Sequence, residues 1–278
     1  MQTYSSLRSS LTNTHVLSND ELRAKAPSIF AAEPWERMSA RYTFIPTINI
    51  VDRMRSEGFH PVAVMQSRTR IEGKQDFTKH MIRFRDMRNG DAPAIRTLGT
   101  IYPELVLTNS HDGASAYKLD AGLFRLVCRN GMMVAQGNVE QINVRHSGGA
   151  DGIIEASYQV VDQFPKVIDS VERFGRLRLE APQAKAFAEA ALSLKYDEGT
   201  EPIEAAQILR PKRRDDVEPT VWNTLNVVQE HLINGGDRGR NPKTFNRART
   251  RAVNGISENA RLNKALWMLA DKMATLVG

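Results

Sequence analysis

Cysteine is nearly absent from this chain of 278 residues, which contains only Cys128. A single thiol excludes an intramolecular disulfide and any metal site built from several cysteines. Because Cys128 lies in an apolar run, its pattern favours a buried, inert thiol over a nucleophile. No stretch approaches the roughly 18 apolar residues of a membrane span, and the first residues lack a signal-peptide pattern. We therefore expect a cytoplasmic protein without a membrane partner.

The chain also lacks the short motifs that define common nucleotide-binding and hydrolytic sites. It contains no GxxxxGK[ST], GxGxxG or GxSxG sequence. Its six histidines are scattered, without HxH, HxxxH or HExxH spacing. These absences predict no cofactor and no metal, and they favour a function without catalysis.

Strand patterns fill the first half of the sequence and helical patterns fill the second. Two apolar runs, at 121–128 and 132–135, flank Asn130-Gly131, which is the strongest short-range signal for a β-hairpin. From about residue 159 the apolar residues recur at helical spacing. The sequence therefore predicts an α+β protein, with an antiparallel β-rich N-terminal part and a helical C-terminal part.

Three regions follow from these patterns. Residues 1–26 are a polar N-terminal arm with a short helix near Asn19–Ala26. Residues 27–158 are the β-rich core domain with the central hairpin. Residues 159–278 are a helical region that contains a basic segment at 238–264.

The segment around Pro46 and the last helix carry further local patterns. Residues 41–47 are predicted to form a strand that ends at Pro46. Thr47 is then predicted to cap a helix that reaches Glu57. The last helix carries apolar residues at steps of four and three, which indicate packing against the body of the protein or self-association. This seam consists of Leu262, Leu266, Leu269, Met273 and Leu276.

Positive charge is concentrated near the C-terminus. The formal net charge is +6, and the stretch from Asp237 to Lys264 has eight basic and two acidic residues, which is the whole excess. Arg247 and Arg251 are predicted to lie one helical turn apart, with Arg240 and Lys243 in the preceding turn. Such a segment attracts polyanions, although a solvated helix face gives the same pattern.

A second basic surface is predicted on two strands near residues 68–85, where alternation puts Lys79, Arg83 and Arg85 on one face. Aromatic side chains beside such surfaces can stack on bases, and Tyr117 and Phe245 are the candidates. The predicted nucleic-acid-binding residues are Arg68, Arg70, Lys79, Arg83, Arg85, Arg240, Lys243, Arg247, Arg249 and Arg251.

One polar cluster could carry chemistry. His111-Asp112, with His80 as a possible neighbour, could bind a metal or orient an imidazole as a base. A metal-dependent nuclease or phosphoesterase would need a further carboxylate there, for example Asp120 or Glu140. The residues from Asn109 to Gly113 also build turns between strands, so a structural turn remains the alternative.

The sequence resembles a family of unknown function carried on plasmids and prophages, the phage/plasmid-like YubP/YafZ group. The resemblance rests on residues 79–84, 109–113 and 122–131, with similar text at 41–47 and 261–267. It spans roughly residues 25–275. The association of this family with mobile elements implies a role in DNA maintenance, recombination or evasion of host defence, and it implies no specific activity.

These observations predict a nucleic-acid-binding protein of mobile elements that binds or anneals single-stranded DNA without catalysis. Arginine and lysine would follow the phosphates, and aromatic rings would stack on bases. Assembly into a homo-oligomer is a subsidiary prediction. The alternatives are the metal-dependent nuclease and an anti-defence protein that binds a host protein.

Overall fold

A computed structural model of the protein describes residues 15–39, 42–88, 101–125, 131–133, 142–144 and 149–278. The chain divides into two compact units, and the main division falls between Phe164 and Pro165. The change of character predicted near residue 159 lies within the helix Gly149–Val161. The fold is α+β, as predicted.

The first unit is built on an antiparallel sheet. Its described strands run in the order β1-β2-β3-β4-β5, and β6 pairs with β4 beside β5. The strands are β1 (Phe59–Gln66), β2 (His80–Asp86), β3 (Ile101–Asn109), β4 (Tyr117–Arg125), β5 (Gly131–Met133) and β6 (Ile142–Val144). The pairing of β4 with β5 confirms that these two strands form a hairpin. Gly131 lies within β5 opposite Phe124, so Asn130-Gly131 is not the two-residue turn that was predicted. Cys128 and Asn130 lie outside the described residues.

The two faces of this sheet differ because side chains alternate along each strand. Ile82, Leu107 and Leu119 lie in register on one buried apolar face. Arg83 and Val106 lie in register on the other face, which also carries buried charged groups.

Three helices complete the described part of the first unit: α1 (Asn19–Lys25), α2 (Thr47–Ser56) and α3 (Gly149–Val161). Helix α1 confirms the short helix predicted near Asn19–Ala26. The Glu21 amide donates to the Ser18 hydroxyl and the Ser18 amide donates to the Glu21 carboxylate, which caps the helix. Leu22 is buried. Helix α3 begins at Gly149.

The predictions around Pro46 are partly wrong. Residues 42–46 form no strand, and Pro46 rather than Thr47 is the N-cap of α2. The Thr47 hydroxyl instead points into a buried polar network. Helix α2 ends at Ser56, and Gly58 follows with a φ of +84°, a conformation that glycine adopts without steric cost.

The second unit is mostly helical. Its helices are α4 (Phe164–Arg176), α5 (Ala181–Ser193), α6 (Ala205–Ile208), α7 (Val221–Asn234) and α8 (Ile256–Val277). The first residue of α4 belongs to the first unit. A short two-stranded sheet, β7 (Arg238–Arg240) and β8 (Arg247–Arg249), lies between α7 and α8. None of the helices in the described residues combines the length and apolarity needed to cross a bilayer.

The apolar seam predicted for the last helix is only partly buried. Leu262 and Leu266 are in the core. The ring centres of Trp267 and Phe174 lie 5.2 Å apart there. Leu276, in contrast, is 80% exposed. The buried stripe continues through Ala270 and Ala274 instead. Small residues on that stripe were not recognised because the prediction followed the large side chains.

Candidate nucleic-acid interface

The hairpin formed by β7 and β8 presents four arginines on one face. Arg238 pairs with Arg249 and Arg240 pairs with Arg247 in the antiparallel register. Directly opposed residues share a face, and residues two apart on one strand share it as well. All four side chains are exposed. The ribbon therefore carries four guanidinium groups on a single surface, which we call the arginine face.

The other face of the hairpin packs on the second unit through its small residues. Gly239 and Ala248 are opposed there. A Cβ at Gly239 would lie 1.7 Å from the carbonyl oxygen of Pro202, so no larger residue fits without movement of the backbone. The Arg240 amide donates to the same oxygen at 2.9 Å. Glycine at this position fixes which face of the ribbon is turned outward.

The open end of the hairpin is anchored by polar contacts. Asp237 and Thr250 exchange backbone and side-chain hydrogen bonds at 2.9 Å. A carboxylate oxygen of Asp237 also lies 2.8 Å from Nδ1 of the buried His231. The Lys195 ammonium donates to the carbonyl oxygens of Arg251 and Leu232 at 2.7 and 2.5 Å. These contacts tie both strands to α7 and to the end of α5.

The tip of the hairpin holds an aromatic ring in solvent. Asn241 organises the turn, because its side-chain oxygen accepts from the amides of Lys243 and Thr244 at 2.9 and 3.0 Å. Phe245 then donates its amide to the Asn241 carbonyl at 2.8 Å with a φ of +56°. Its side chain is 72% exposed. A bulky residue with positive φ is uncommon and costs conformational energy, and such outliers cluster at functional sites.

The arginine face has no internal counter-charge in the described part of the chain. No carboxylate there lies within ion-pair distance of Arg238, Arg240, Arg247 or Arg249. Like charges directly opposed across strands destabilise a sheet. Lys243 and Arg251 are exposed as well and add to the positive charge at the two ends of the hairpin.

The helical arrangement predicted for this segment is therefore wrong. Arg247 and Arg251 are not one helical turn apart, because residues 247–249 are a strand. The signal for a hairpin was present in Arg238-Gly239-Arg240 and Arg247-Ala248-Arg249, which alternate with a period of two around a turn with Asn241-Pro242.

The second predicted basic surface is divided between exposed and buried residues of the first unit. Arg83 and Arg85 are buried, and both donate to the carboxylate of Glu104, Arg85 at 2.7 Å. The ring of Phe124 lies 4.1 Å from the Arg83 guanidinium carbon, and that of Tyr102 lies 4.0 Å from the Arg85 carbon. This placement does not support a role for Arg83 or Arg85 as phosphate contacts.

The remaining residues of that surface are accessible to different degrees. Arg68 and Arg70 are exposed after the end of β1, and Lys79 is half-buried. Burial and the nearby Lys118 lower the pKa of Lys79, although Asp112 acts against them. Arg68 and Arg70 can still meet a phosphate, while Lys79 is a weaker candidate.

Tyr117, the second predicted stacking residue, is buried and belongs to a polar network around Thr47. Its hydroxyl donates to the Ile45 carbonyl at 2.9 Å and lies 3.2 Å from the Thr47 hydroxyl. The Thr47 hydroxyl in turn lies 2.9 Å from Nε2 of His80 and 3.0 Å from Nε2 of His111. A ring held in this way offers no surface to a base.

The partners in this network assign the protons on its histidines. Nδ1 of His80 faces the Thr78 carbonyl at 3.2 Å, which can only accept, so Nδ1 carries the proton. Nε2 of His80 then accepts from the Thr47 hydroxyl. The Thr47 oxygen accepts in turn from Nδ2 of Asn109 at 3.1 Å and from the protonated Nε2 of His111. With these protons both imidazoles are neutral.

This arrangement does not support the metal-dependent alternative, because Nδ1 of His80 faces the Thr78 carbonyl and Nε2 faces the Thr47 hydroxyl. Burial, together with His111, lowers the pKa of His80 to about 3. Asp112 accepts from the Ala114 amide and pairs with Lys74, both at 3.0 Å; although burial raises its pKa, these partners bring it below the ordinary value.

The further carboxylates do not complete such a site. Asp120 lies in register with Val106 on the sheet face opposite to His80. Glu140 lies outside the described residues. Among the residues that the structure describes, no group of three His, Cys, Asp or Glu side chains could hold a metal ion.

The chain is a member of the family described as Domain of unknown function (DUF932), whose model matches residues 34–267. The resemblance stated from the sequence is confirmed by the relatives.

Two proteins of Escherichia coli (strain K12) are similar over almost their full length. UPF0380 protein YafZ is 39% identical over 260 residues, which is 93% of this chain and 92% of the relative. UPF0380 protein YfjQ is 38% identical over 260 residues with the same coverage. No solved structure matches this chain.

Proposed function

We propose that this protein binds single-stranded nucleic acid, most concretely single-stranded DNA, through the arginine face of the β7–β8 hairpin and without catalysis. The observation that supports it is the pairing of arginine with arginine across a short, outward-facing ribbon. This arrangement is unfavourable within the free protein. A polyanion in contact with the arginine face supplies the missing counter-charge.

The geometry of the ribbon suits a nucleic-acid backbone. Residues two apart on one strand are separated by about 6.7 Å, and the strands lie about 4.8 Å apart. Guanidinium groups at these spacings can each donate two hydrogen bonds to phosphate oxygens. Contacts of this kind carry no sequence information.

Phe245 gives the proposal its preference for single strands. Its exposed ring extends from the tip of the same hairpin, within a turn that fixes its backbone. Unpaired bases stack on such rings with about 1–3 kcal/mol per base, whereas paired bases are covered by their neighbours. Discrimination between single and double strands would therefore reside in this one residue.

The biological setting that we propose is DNA maintenance or recombination of a mobile element in the cytoplasm. The support for this setting is the resemblance to the YubP/YafZ group and the single cysteine, and it is independent of the hairpin. An anti-defence protein would use the same surface weakly and would bind a host protein tightly.

Fluorescence anisotropy of a labelled single-stranded oligonucleotide, titrated across a salt series, tests the proposal. Four phosphate contacts predict a slope of log affinity against log salt of about −3, at about −0.7 per contact. Arg240→Gln with Arg247→Gln should halve this slope. Arg176→Gln with Arg178→Gln removes the same charge from exposed residues of the second unit and is the matched control.

The results separate the candidates clearly. An unchanged slope in the hairpin variant, or equal losses in both double variants, would refute binding through the arginine face. Phe245→Ala should weaken binding to single strands more than binding to a duplex of the same length. Equal weakening of the two would remove the single-strand preference and leave phosphate binding alone.

A further inference from the structure

The first unit contains an open cleft of about 550 Å³. Its walls come from two short 3-10 turns, Pro27–Phe30 and Gln75–Phe77, and from the segment that follows the first of them. The backbone of that segment is held in place by a 3.0 Å hydrogen bond from the Trp35 amide to the His111 carbonyl. The cleft is thus a fixed feature of the first unit.

The lining of the cleft is acidic and aromatic. Four exposed carboxylates and one cation, Arg23, line it, which leaves a formal excess of three negative charges. No cation among the described residues forms an ion pair with any of the four. The carboxylates are Glu33, Glu36, Glu72 and Asp76, and the rings are Phe30, Trp35 and Phe77.

The rings of the cleft already act as surfaces for cations. The Arg23 guanidinium carbon lies 3.9 Å from the centre of the Phe30 ring. The Lys74 ammonium lies 4.5 Å from the Trp35 ring, and Arg37 lies 5.0 Å from it. A guanidinium group combines well with both elements of such a lining, because it stacks on rings and donates in pairs to carboxylates.

We propose that this cleft receives the arginine face of a second copy of the chain. The argument is charge complementarity: the cleft has an excess of carboxylates that form no ion pair with a described cation, and the arginine face has four guanidinium groups that form none with a described carboxylate. Phe245 at the hairpin tip adds an exposed ring to a surface that meets an aromatic wall. The inference depends on the exposed hairpin and not on the proposed binding of nucleic acid.

A contact of this kind joins two different surfaces and so generates head-to-tail chains or closed rings. It also makes nucleic acid and the cleft competitors for the same four arginines. Single-stranded DNA should therefore dissociate the assembly. In the assembly, the carboxylates of the cleft would contact the arginines that otherwise contact phosphates.

Sedimentation velocity at low salt, over a range of protein concentrations, tests this assembly with reversed charges. Variant one carries Glu36→Lys and Glu72→Lys in the cleft, and variant two carries Arg240→Glu and Arg247→Glu in the hairpin. Each alone should associate at least roughly tenfold more weakly than the unchanged chain. Their mixture should regain association, because each supplies the surface that complements the other. Glu155→Lys with Asp162→Lys is the matched control on exposed residues of the first unit.

Circular dichroism confirms that each variant is folded before the comparison. A wild-type chain that remains monomeric at low salt, or a mixture that fails to associate, would overturn the proposal. Variant one keeps its hairpin and should bind single-stranded DNA at least as tightly as the unchanged chain. Loss of DNA binding in variant two with association intact would therefore support the proposed function and refute this assembly.

Discussion

Two pairs of arginines with the same spacing have opposite environments in this protein. Arg83 and Arg85 on β2 are buried, whereas Arg238 and Arg240 on β7 are exposed. Both pairs have one residue between the two arginines, but only Arg83 and Arg85 were predicted to lie on a strand, whereas the segment with Arg240 was predicted to be helical. The difference shows that alternation establishes which side chains share a face, while the neighbouring strand decides what that face does.

The neighbouring strands differ in the residue that they place beside the arginines. Beside β2, strand β3 supplies Glu104, which accepts from both guanidinium groups. Beside β7, strand β8 supplies two further arginines. A buried guanidinium group is costly without its carboxylate partner, whereas an exposed cationic ribbon gains from an external anion.

The largest expected effect is at the buried cluster. Glu104→Gln would leave two guanidinium groups buried without their carboxylate, which typically costs about 3–5 kcal/mol of folding free energy. Urea unfolding followed by circular dichroism measures the loss. The exposed Glu155→Gln is the control and should remain within about 0.5 kcal/mol of the unchanged chain.

The corresponding change on the hairpin should act in the opposite direction. Arg240→Gln with Arg247→Gln removes one like-charged cross-strand pair, which is worth about 0.2–1 kcal/mol. The variant should unfold at equal or slightly higher urea while it binds single-stranded DNA less tightly. A loss of stability similar to that of Glu104→Gln would mean that the two arginine pairs do not differ as described.

A third prediction concerns the pH dependence of stability, and it tests the buried network of His80 beside the same sheet. His80 has a folded pKa of about 3 against 6.5 ordinarily, so the unfolded chain binds its proton first. The stability from neutral His80 is fully present above pH 6.5 and is lost as the pH falls towards 3. In this range His80 contributes a fall of about 1.4 kcal/mol per pH unit to the free energy of unfolding.

The comparison of the unchanged chain with His80→Asn isolates this contribution. Urea unfolding between pH 6.5 and 4.5 should show a shallower pH dependence in the variant, which lacks the titrating ring. His111 and Asp112 face the same network and are present in both proteins. Equal slopes would mean that His80 is not held neutral by its surroundings.

Features that depend on contacts within one segment could be predicted from the sequence, whereas features that depend on residues distant in sequence could not. Helix α1 was placed correctly, and the residues that cap it, Ser18 and Glu21, lie within the segment itself. Burial of Arg83 depends on Glu104, which lies on another strand, and no local pattern reports that pairing. Thr47 was assigned to a cap for the same reason, since its partners are distant in sequence. Phe245 was named as a possible stacking residue, whereas its hairpin required recognition of the alternation on both sides of the turn.

A smaller effect is expected from Gly239→Ala, which changes no charge on the arginine face. The added Cβ would collide with the Pro202 carbonyl and disturb the 2.9 Å hydrogen bond from Arg240 to that oxygen. Displacement of the ribbon should weaken binding to single-stranded DNA by roughly tenfold, equivalent to about 1.4 kcal/mol. Ala248→Gly, directly opposite on β8, is the control; equal affinity in Gly239→Ala would show that the orientation of the hairpin does not matter.

The smallest expected effect on stability is at the tip of the hairpin. Phe245→Asn removes an exposed ring and places at a φ of +56° a residue that tolerates the left-handed conformation. The free energy of unfolding should therefore change by less than about 0.5 kcal/mol, or rise slightly. Anisotropy should nevertheless show weaker binding to single-stranded DNA with an unchanged salt slope, because a stacking contact is lost and no phosphate contact is. A reduced slope would mean that Phe245 positions the arginines rather than contacting bases, and a large loss of stability would mean that its ring is part of the folded core.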